Sequence, residues 1–480
     1  MNILMVTSEA VPFFKTGGLA DMVTSLSKAL KKRGNDVRVF LPLYNFKGIN
    51  FKTEFVGETS IRINDKDEWI TFSKAEDENL TFYFLSHPIF SDRPGVYGEN
   101  NLSYEDSLLR QMILVKSIKP LLSYVHFDAD VIHSHDWMTA LVPYYYKNEY
   151  KTVFTIHNIA YMGKTSVYDA VLAGLRVDDS LLENGEDVRM INPLKAGILN
   201  ASVITTVSPT YAKEILTPIY SEGLDPYLTK RKDDLYGILN GVDETVWNPK
   251  TDKYLLEKDA TFSLKNLECK EKAKQVAKEL FGFDKNDNRP LIAIISRLAK
   301  QKGFYECLNG GDNSPLIETI RNNDALFAII GTGDKELEDT FTYLSNAYEN
   351  VSYKKEFSES LSHILEAGSD FFLMPSRYEP CGLNQMYSLL YGSLPIVNKT
   401  GGLADTVIDI SEGKKANGFV MNDLSANSIK NSLKTAISCY NSNMEQYKAL
   451  QKNAMNSNFS WGNGAKEYEE LYKKLHGGKR

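Results

Sequence analysis

The sequence predicts an α/β protein built from two doubly wound domains, and three observations carry that prediction. The heptapeptide Lys-Thr-Gly-Gly-Leu-Ala-Asp occurs at residues 15–21 and again, letter for letter, at 399–405. Each copy follows a short apolar stretch and runs into a helical pattern, and strand, diglycine turn and helix together aim backbone N–H groups at an anion. The chain has 480 residues, and single cores rarely grow beyond roughly 250–300 residues.

The elements follow in order. Residues 2–6 read as a first strand. Leu19, Met22, Val23, Leu26 and Leu30 then recur at helical spacing, with Gly34 as a stop. Residues 37–41 return as a second strand, completing a βαβ unit that favours a parallel sheet. Further strands are expected at 131–133, 153–157 and 203–207, separated by helix-length segments. Between Lys47 and Pro88 aromatic and β-branched residues alternate with charges, as in an antiparallel β excursion. The pattern changes at YGILNGVDETVWNPKTDKY, which is turn-rich, and a charged helix is expected over 266–281. Strands at 291–296, 326–331, 351–354, 371–375 and 394–398 then repeat the logic of the first half. The expected division is a first domain over 1–243, a linker over 244–258 and a second domain over 259–456. A C-terminal amphipathic helix within 457–480 packs back on the first domain.

Composition narrows the partners. Fifty-five basic against 62 acidic side chains give a net charge of −7, which argues against a nucleic-acid footprint but leaves room for a local basic pocket. Cys269, Cys307, Cys381 and Cys439 are too far apart for a CxxC metal or redox signature, and free thiols fit a reducing compartment. The start, MNILMVTSEA, has no basic n-region and reads as a strand instead of a signal peptide. No apolar segment approaches the roughly 20 residues that span a bilayer. A cytoplasmic protein with no membrane partner is expected.

Five clusters sit at strand ends, where open α/β sheets place ligands: residues 15–21, HSHDW at 133–137, TIHN at 155–158, SRLAKQK at 296–302 and PSRYEPCGL at 375–383. Arg297 and Lys302 suit a diphosphate leaving group, whose charge grows as a bond breaks, or equally a solvated turn closed by Gly303. Lys15 invites the same two readings; Gly17 and Gly18 favour the phosphate, because glycines let backbone amides approach an anion closely. The P-loop spacing GxxxxGK[ST] and the hydrolase motif GxSxG are both absent. His133, His135, Asp136 and His157 lack a second cluster with ligand spacing, so hydrogen bonding is favoured over metal binding. Trp137 offers a face for a sugar ring or for the core. Glu379 accepts hydroxyl hydrogen bonds or caps the helix after it. On these residues alone the chain is a two-domain α/β protein that binds an anionic ligand in an interdomain cleft.

Together KTGGLAD, HSHDW, TIHNIAYMG, ILNGVD, SRLAKQKG and PSRYEPCGL followed by NKTGGLADTV resemble the bacterial glycogen synthases and plant starch synthases, in family order over nearly the whole chain. The resemblance implies the GT-B fold, two Rossmann-like doubly wound domains facing an interdomain cleft. It implies a hexosyltransferase that moves glucose from ADP-glucose to the non-reducing 4-hydroxyl of an α-1,4-glucan with retention, without a metal or organic cofactor. ADP-glucose and glucan are the implied partners, with no nucleic acid and no membrane.

Residue by residue, the resemblance puts Lys15, Gly17 and Gly18 at the donor phosphate and glucose, with Asp21 nearby. His157 matches the histidine that contacts the transferred glucose. Arg297 and Lys302 bind the diphosphate, and Glu379 contacts glucose hydroxyls beside the Cys381, Gly382 and Leu383 amides. Thr400, Gly401 and Gly402 form the second phosphate-facing turn, and Phe357 stands where a tyrosine stacks on adenine. Asp136, Trp137 and Asn158 match acceptor-side positions. Tyr387 replaces the second glutamate that fold relatives carry eight residues after the first, which is the glycogen and starch synthase pattern. Met138 replaces a frequent histidine, and Lys399 keeps the charge of a common arginine without its bidentate geometry. The alternatives are an α-glucan phosphorylase-like enzyme and a non-catalytic glycan- or nucleotide-binding protein on the same scaffold.

Overall fold

The N-terminal strand lies inside a sheet: β1 (Asn2–Val6) pairs in parallel with β2 (Asp36–Pro42) on one side and with β6 (Val131–His135) on the other. The computed structural model describes residues 1–45, 51–99, 102–183 and 189–477. It divides into two units, Met1–Gly241 with Trp461–Arg480, and Val242–Ser460.

The first unit adds β3 (Glu54–Ile63), β4 (Lys66–Asp77) and β5 (Leu80–Ser86), then β7 (Lys151–Ile156), β8 (Val203–Thr206) and β9 (Leu235–Gly237). The nine-stranded order is β9-β8-β7-β6-β1-β2-β5-β4-β3. β3 and β4 form the antiparallel excursion; β4 also pairs antiparallel with β5, which lies parallel to β2. Residues 47–50 of that expected excursion lie outside the described residues. The helix Gly18–Lys32 buries Leu19, Met22, Val23, Leu26 and Leu30, the positions its spacing predicts. Against it packs the helix Trp461–Gly477, where Arg33 Nη2 meets Glu469 Oε2 at 2.7 Å.

The second unit holds β10 (Leu291–Ile295), β11 (Leu326–Ile330), β12 (Val351–Lys354), β13 (Phe371–Met374), β14 (Leu394–Asn398) and β15 (Phe419–Met421), in the order β12-β11-β10-β13-β14-β15. All pairs are parallel. The inner strands read as continuous apolar runs, LIAII, LFAII and FFLM, because helices cover both faces of a parallel sheet. β9 and β15 were not foreseen, since three residues are too few to show a period.

Residues 244–258, expected as a linker, are instead part of the second unit. Trp247 is sandwiched there, stacked at 3.7 Å on both His363 and Tyr387. Asp252 Oδ2 accepts hydrogen bonds from His363 Nδ1 at 2.7 Å and from the Tyr391 hydroxyl at 2.5 Å. Among the described residues no helix is long and apolar enough to cross a membrane.

Strand order decides where ligands bind. In an open sheet they lie at the carboxyl ends, where the order reverses. The first unit reverses between β1 and β6, and the second between β10 and β13. The second KTGGLAD follows β14, one strand beyond the reversal, so the two identical heptapeptides are not topological equivalents.

Candidate active site

In the first unit the segments after β1 and β6 flank the reversal. Eight residues intervene between β1 and the first heptapeptide, and they carry Glu9 back under the diglycine turn. The Glu9 carboxylate accepts hydrogen bonds from the Thr16 amide, the Thr16 hydroxyl (2.9 Å) and the Gly17 amide (3.3 Å). Its other oxygen accepts from the Tyr97 hydroxyl at 2.9 Å. Burial raises its carboxyl above the usual range, against these bonds. The amides of Thr16 and Gly17 therefore already hold an anion, one supplied by the chain. Lys15 Nζ lies 2.9 Å from Asp21 in an exposed ion pair, and Gly17 is the N-cap of the helix that Gly18 opens. Sequence reasoning missed Glu9; its signal was a single carboxylate inside the apolar run before Gly-Gly.

After β6 the chain turns sharply at Asp136, whose φ of 61° is uncommon for a non-glycine residue. Asp136 Oδ1 accepts from the amides of His157 (3.3 Å) and Asn158 (3.4 Å), which brings these three predicted residues together. Burial pushes the Asp136 carboxyl up to about 7, against the backbone hydrogen bonds and with repulsion from Glu9 adding to it. Trp137 is mostly buried, with its ring 5.8 Å from Tyr97 and so close to Gly163 that a Cβ there would meet it. Met138 is fully buried. His157 Nε2 lies 3.2 Å from His135 Nδ1, and burial lowers the His157 imidazole to about 3. The chain reaches neutral pH with this imidazole uncharged.

In the second unit the clusters after β10 and β13 meet. Lys302 Nζ lies 2.6 Å from Glu379 Oε2, and the Ser376 hydroxyl donates to the same oxygen at 2.9 Å. Sequence reasoning gave Lys302 and Glu379 separate work; the fold couples them. Gly303 takes φ 76° and lies too close to the Pro375 carbonyl for any side chain. Arg297 is exposed at the end of the same strand. Cys381, Gly382 and Leu383 lead into the helix Asn384–Leu390, and Gln385 Nε2 holds the Cys381 and Gly382 carbonyls at 3.0 Å.

The second heptapeptide leans on that loop. Thr400 is the buried N-cap of the helix Gly401–Thr406. The Gly402 amide donates to the Glu379 carbonyl at 3.1 Å, so this amide is directed at the loop instead of outward at an anion. Gly401, at φ 43°, and Gly402 lie against the carbonyls of Glu379 and Cys381. Tyr387 is buried on Trp247. Phe357 is 82% exposed, and among the described residues no hydrogen bond, ion pair or ring contact joins it to another predicted site residue. Among the described residues no three His, Cys, Asp or Glu side chains are grouped to hold a metal ion.

Comparison with known proteins agrees with this layout. The family described as starch synthase catalytic domain matches residues 2–230, and glycosyl transferases group 1 matches residues 276–457. A glycogen synthase of Thermodesulfovibrio yellowstonii is 37% identical over 505 residues, covering 99% of this chain and 98% of its own. A glycogen synthase of Treponema denticola is 39% identical over 485 residues, covering 98% of each. The solved catalytic domain of starch synthase IV from Arabidopsis thaliana, bound to ADP and acarbose, superposes with a TM-score of 0.87 at 30% identity over 99% of each chain. The chain therefore belongs to the glycogen synthase and starch synthase family of GT-B glycosyltransferases, enzymes of glucosyl transfer that elongate a glucan.

Proposed function

We propose that the chain transfers glucose from ADP-glucose to the non-reducing 4-hydroxyl of an α-1,4-glucan, with retention and release of ADP. The observation that carries this reading is the Lys302–Glu379 pair at 2.6 Å beside the strand reversal of the second unit. A cation there serves a departing diphosphate, and the carboxylate beside it serves sugar hydroxyls. The ADP and acarbose bound to the Arabidopsis domain support a nucleotide sugar and a glucan as the two substrates.

In this reading Arg297 and Lys302 neutralise the diphosphate, Glu379 and the Cys381, Gly382 and Leu383 amides hold the glucose, and Phe357 stacks on adenine. Thr400, Gly401 and Gly402 shape the loop beside Glu379, and Lys15, with Gly17 and Gly18, serves donor phosphate and glucose, with Asp21 beside Lys15. His157 contacts the transferred sugar, and Asp136, Trp137 and Asn158 receive the glucan end. The glucosyl C1–phosphate oxygen bond breaks as a C1–O4 bond forms on the same face, and the acceptor proton passes to the departing phosphate oxygen. The four thiols, all free, support a cytoplasmic setting. The deciding assay incubates the protein with glycogen and either ADP-glucose or UDP-glucose. ADP release with chain lengthening is expected; release from neither donor removes the reading, and release of UDP alone reverses the donor assignment.

A further inference from the structure

Behind His157 stands a buried string of histidines that the reaction above does not use. His135 Nδ1 lies 3.2 Å from His157 Nε2. The His133 ring lies over His135, centroid to centroid 4.1 Å at 33°. His133 is itself anchored at both nitrogens: Nδ1 to the Tyr472 hydroxyl at 2.7 Å and Nε2 to Thr155 Oγ1 at 2.6 Å. Tyr472 belongs to the helix Trp461–Gly477, so the C-terminal helix takes part in fixing the His133 plane. His133 and His135 are fully buried, and burial holds all three rings neutral.

A neutral imidazole carries one N–H, so one ring of the His135–His157 contact donates and the other accepts. His135 Nε2 is buried and has no hydrogen-bond partner among the described residues. If His157 donated, the single His135 proton would sit on that nitrogen as an orphaned buried N–H, which native structures avoid more strictly than an orphaned lone pair. The proton therefore belongs on His135 Nδ1 and is donated to His157 Nε2. The His157 proton is left on Nδ1.

We propose that His135 is a positioning residue that fixes His157 as its Nδ1–H tautomer, so that His157 offers a donor, not an acceptor, to a sugar oxygen. The sugar contact rests on the reading of His157 given above; the tautomer does not.

The test is the ring nitrogen spectrum of the full-length protein with 15N-labelled histidine, the His157 signals being assigned by their loss in His157→Gln. Two-bond correlations distinguish the tautomers. The wild-type protein is expected to show His157 protonated on Nδ1. In His135→Asp, whose carboxylate offers His157 Nε2 an acceptor and no donor, the His157 proton is expected on Nε2, with kcat/KM for ADP-glucose lower by about 3- to 10-fold, the worth of one hydrogen bond to a neutral group. His135→Asn, whose amide nitrogen reaches the Nδ1 position, is expected to restore both the tautomer and most of the activity. A wild-type His157 protonated on Nε2, or an Nδ1–H tautomer that persists in His135→Asp, overturns the inference. Unchanged kcat/KM in His157→Ala would remove the sugar contact alone.

Discussion

The Gly402 amide donates to the Glu379 carbonyl at 3.1 Å, while Gly402 itself lies against the Cys381 carbonyl with no room for a Cβ. The second diglycine is thus fastened to the loop that carries Glu379, and its smallness is a packing requirement. The first diglycine differs although its letters are the same. Gly17 has an extended φ of −160°, and a Cβ there would meet nothing within 4 Å.

This contrast predicts unequal tolerance. Gly402→Ala must push the Cys381 carbonyl aside, and the expected loss is about 2–3 kcal/mol, or about 5–10 °C in melting temperature for a domain of this size. Gly17→Ala is expected to leave the melting temperature within about 2 °C, since surface changes away from such features fall within ±0.5 kcal/mol. Paired thermal melts check it, and equal losses in the two variants would contradict the assigned difference.

Lys302 and Glu379 form a coupled pair, so their variants should not add. Lys302→Ala is expected to lower kcat by about 10²–10³, the usual cost of removing one stabilising group from a developing anion. It also leaves the buried Glu379 with the Ser376 hydroxyl as its hydrogen-bond donor, for a further stability loss of about 1–3 kcal/mol. Lys302→Ala combined with Glu379→Gln is expected to recover that stability without recovering turnover. Urea unfolding and steady-state kinetics on Lys302→Ala, Glu379→Gln and the double variant separate the two effects.

The fold class was legible because its signals are local. Leu19 to Leu30 show a helical period, and runs such as LIAII and FFLM are long enough to read as strands buried on both faces. The contacts that complete the site join distant residues. Glu9 reaches the turn at Thr16 only because the loop folds back, and Lys302 meets Glu379 across 77 residues because β10 and β13 are neighbours. The role of Trp247 was hidden for the same reason: a turn-rich sequence around it reads as a linker until His363 and Tyr387 close on its two faces.

At Tyr387, where fold relatives place a glutamate, packing decides the residue. The ring lies parallel to Trp247 at 3.7 Å and is buried. Tyr387→Glu would bury a carboxylate against the indole, and a fall of about 10 °C or more in melting temperature is expected. Tyr387→Phe keeps the stack, and is expected to lose no more than about 1–2 kcal/mol, the usual cost of deleting one buried hydroxyl. Calorimetry on the two variants gives the ranking directly.

Phe357 tests the donor side from the solvent. At 82% exposure its removal should not affect folding. Stacking on an adenine is worth about 0.5–1.5 kcal/mol, so Phe357→Ala is expected to raise the KM for ADP-glucose about 2- to 10-fold at unchanged melting temperature. Phe357→Tyr is expected to keep the wild-type KM or improve on it. An unchanged KM in Phe357→Ala would remove the adenine contact.

Asp136 makes stability depend on pH in a direction opposite to most carboxylates. Burial pushes its folded pKa up to about 7, from 3.8 for an ordinary aspartate. Between those values the folded state holds a proton that the unfolded state has released, so the contribution of Asp136 to stability falls as pH rises from about 4 to about 7. Above pH 7 the ionised group carries the full burial penalty. Asp136→Asn removes it, and an amide oxygen can still accept from the His157 and Asn158 amides. The variant is therefore expected to be more stable than the wild type at pH 8, by about 1–3 kcal/mol, and to lose that advantage at pH 4. The quantity to measure is the difference in unfolding free energy between the two proteins at each pH, because the other titrating groups cancel in it. A variant advantage that grows on acidification would contradict the raised pKa.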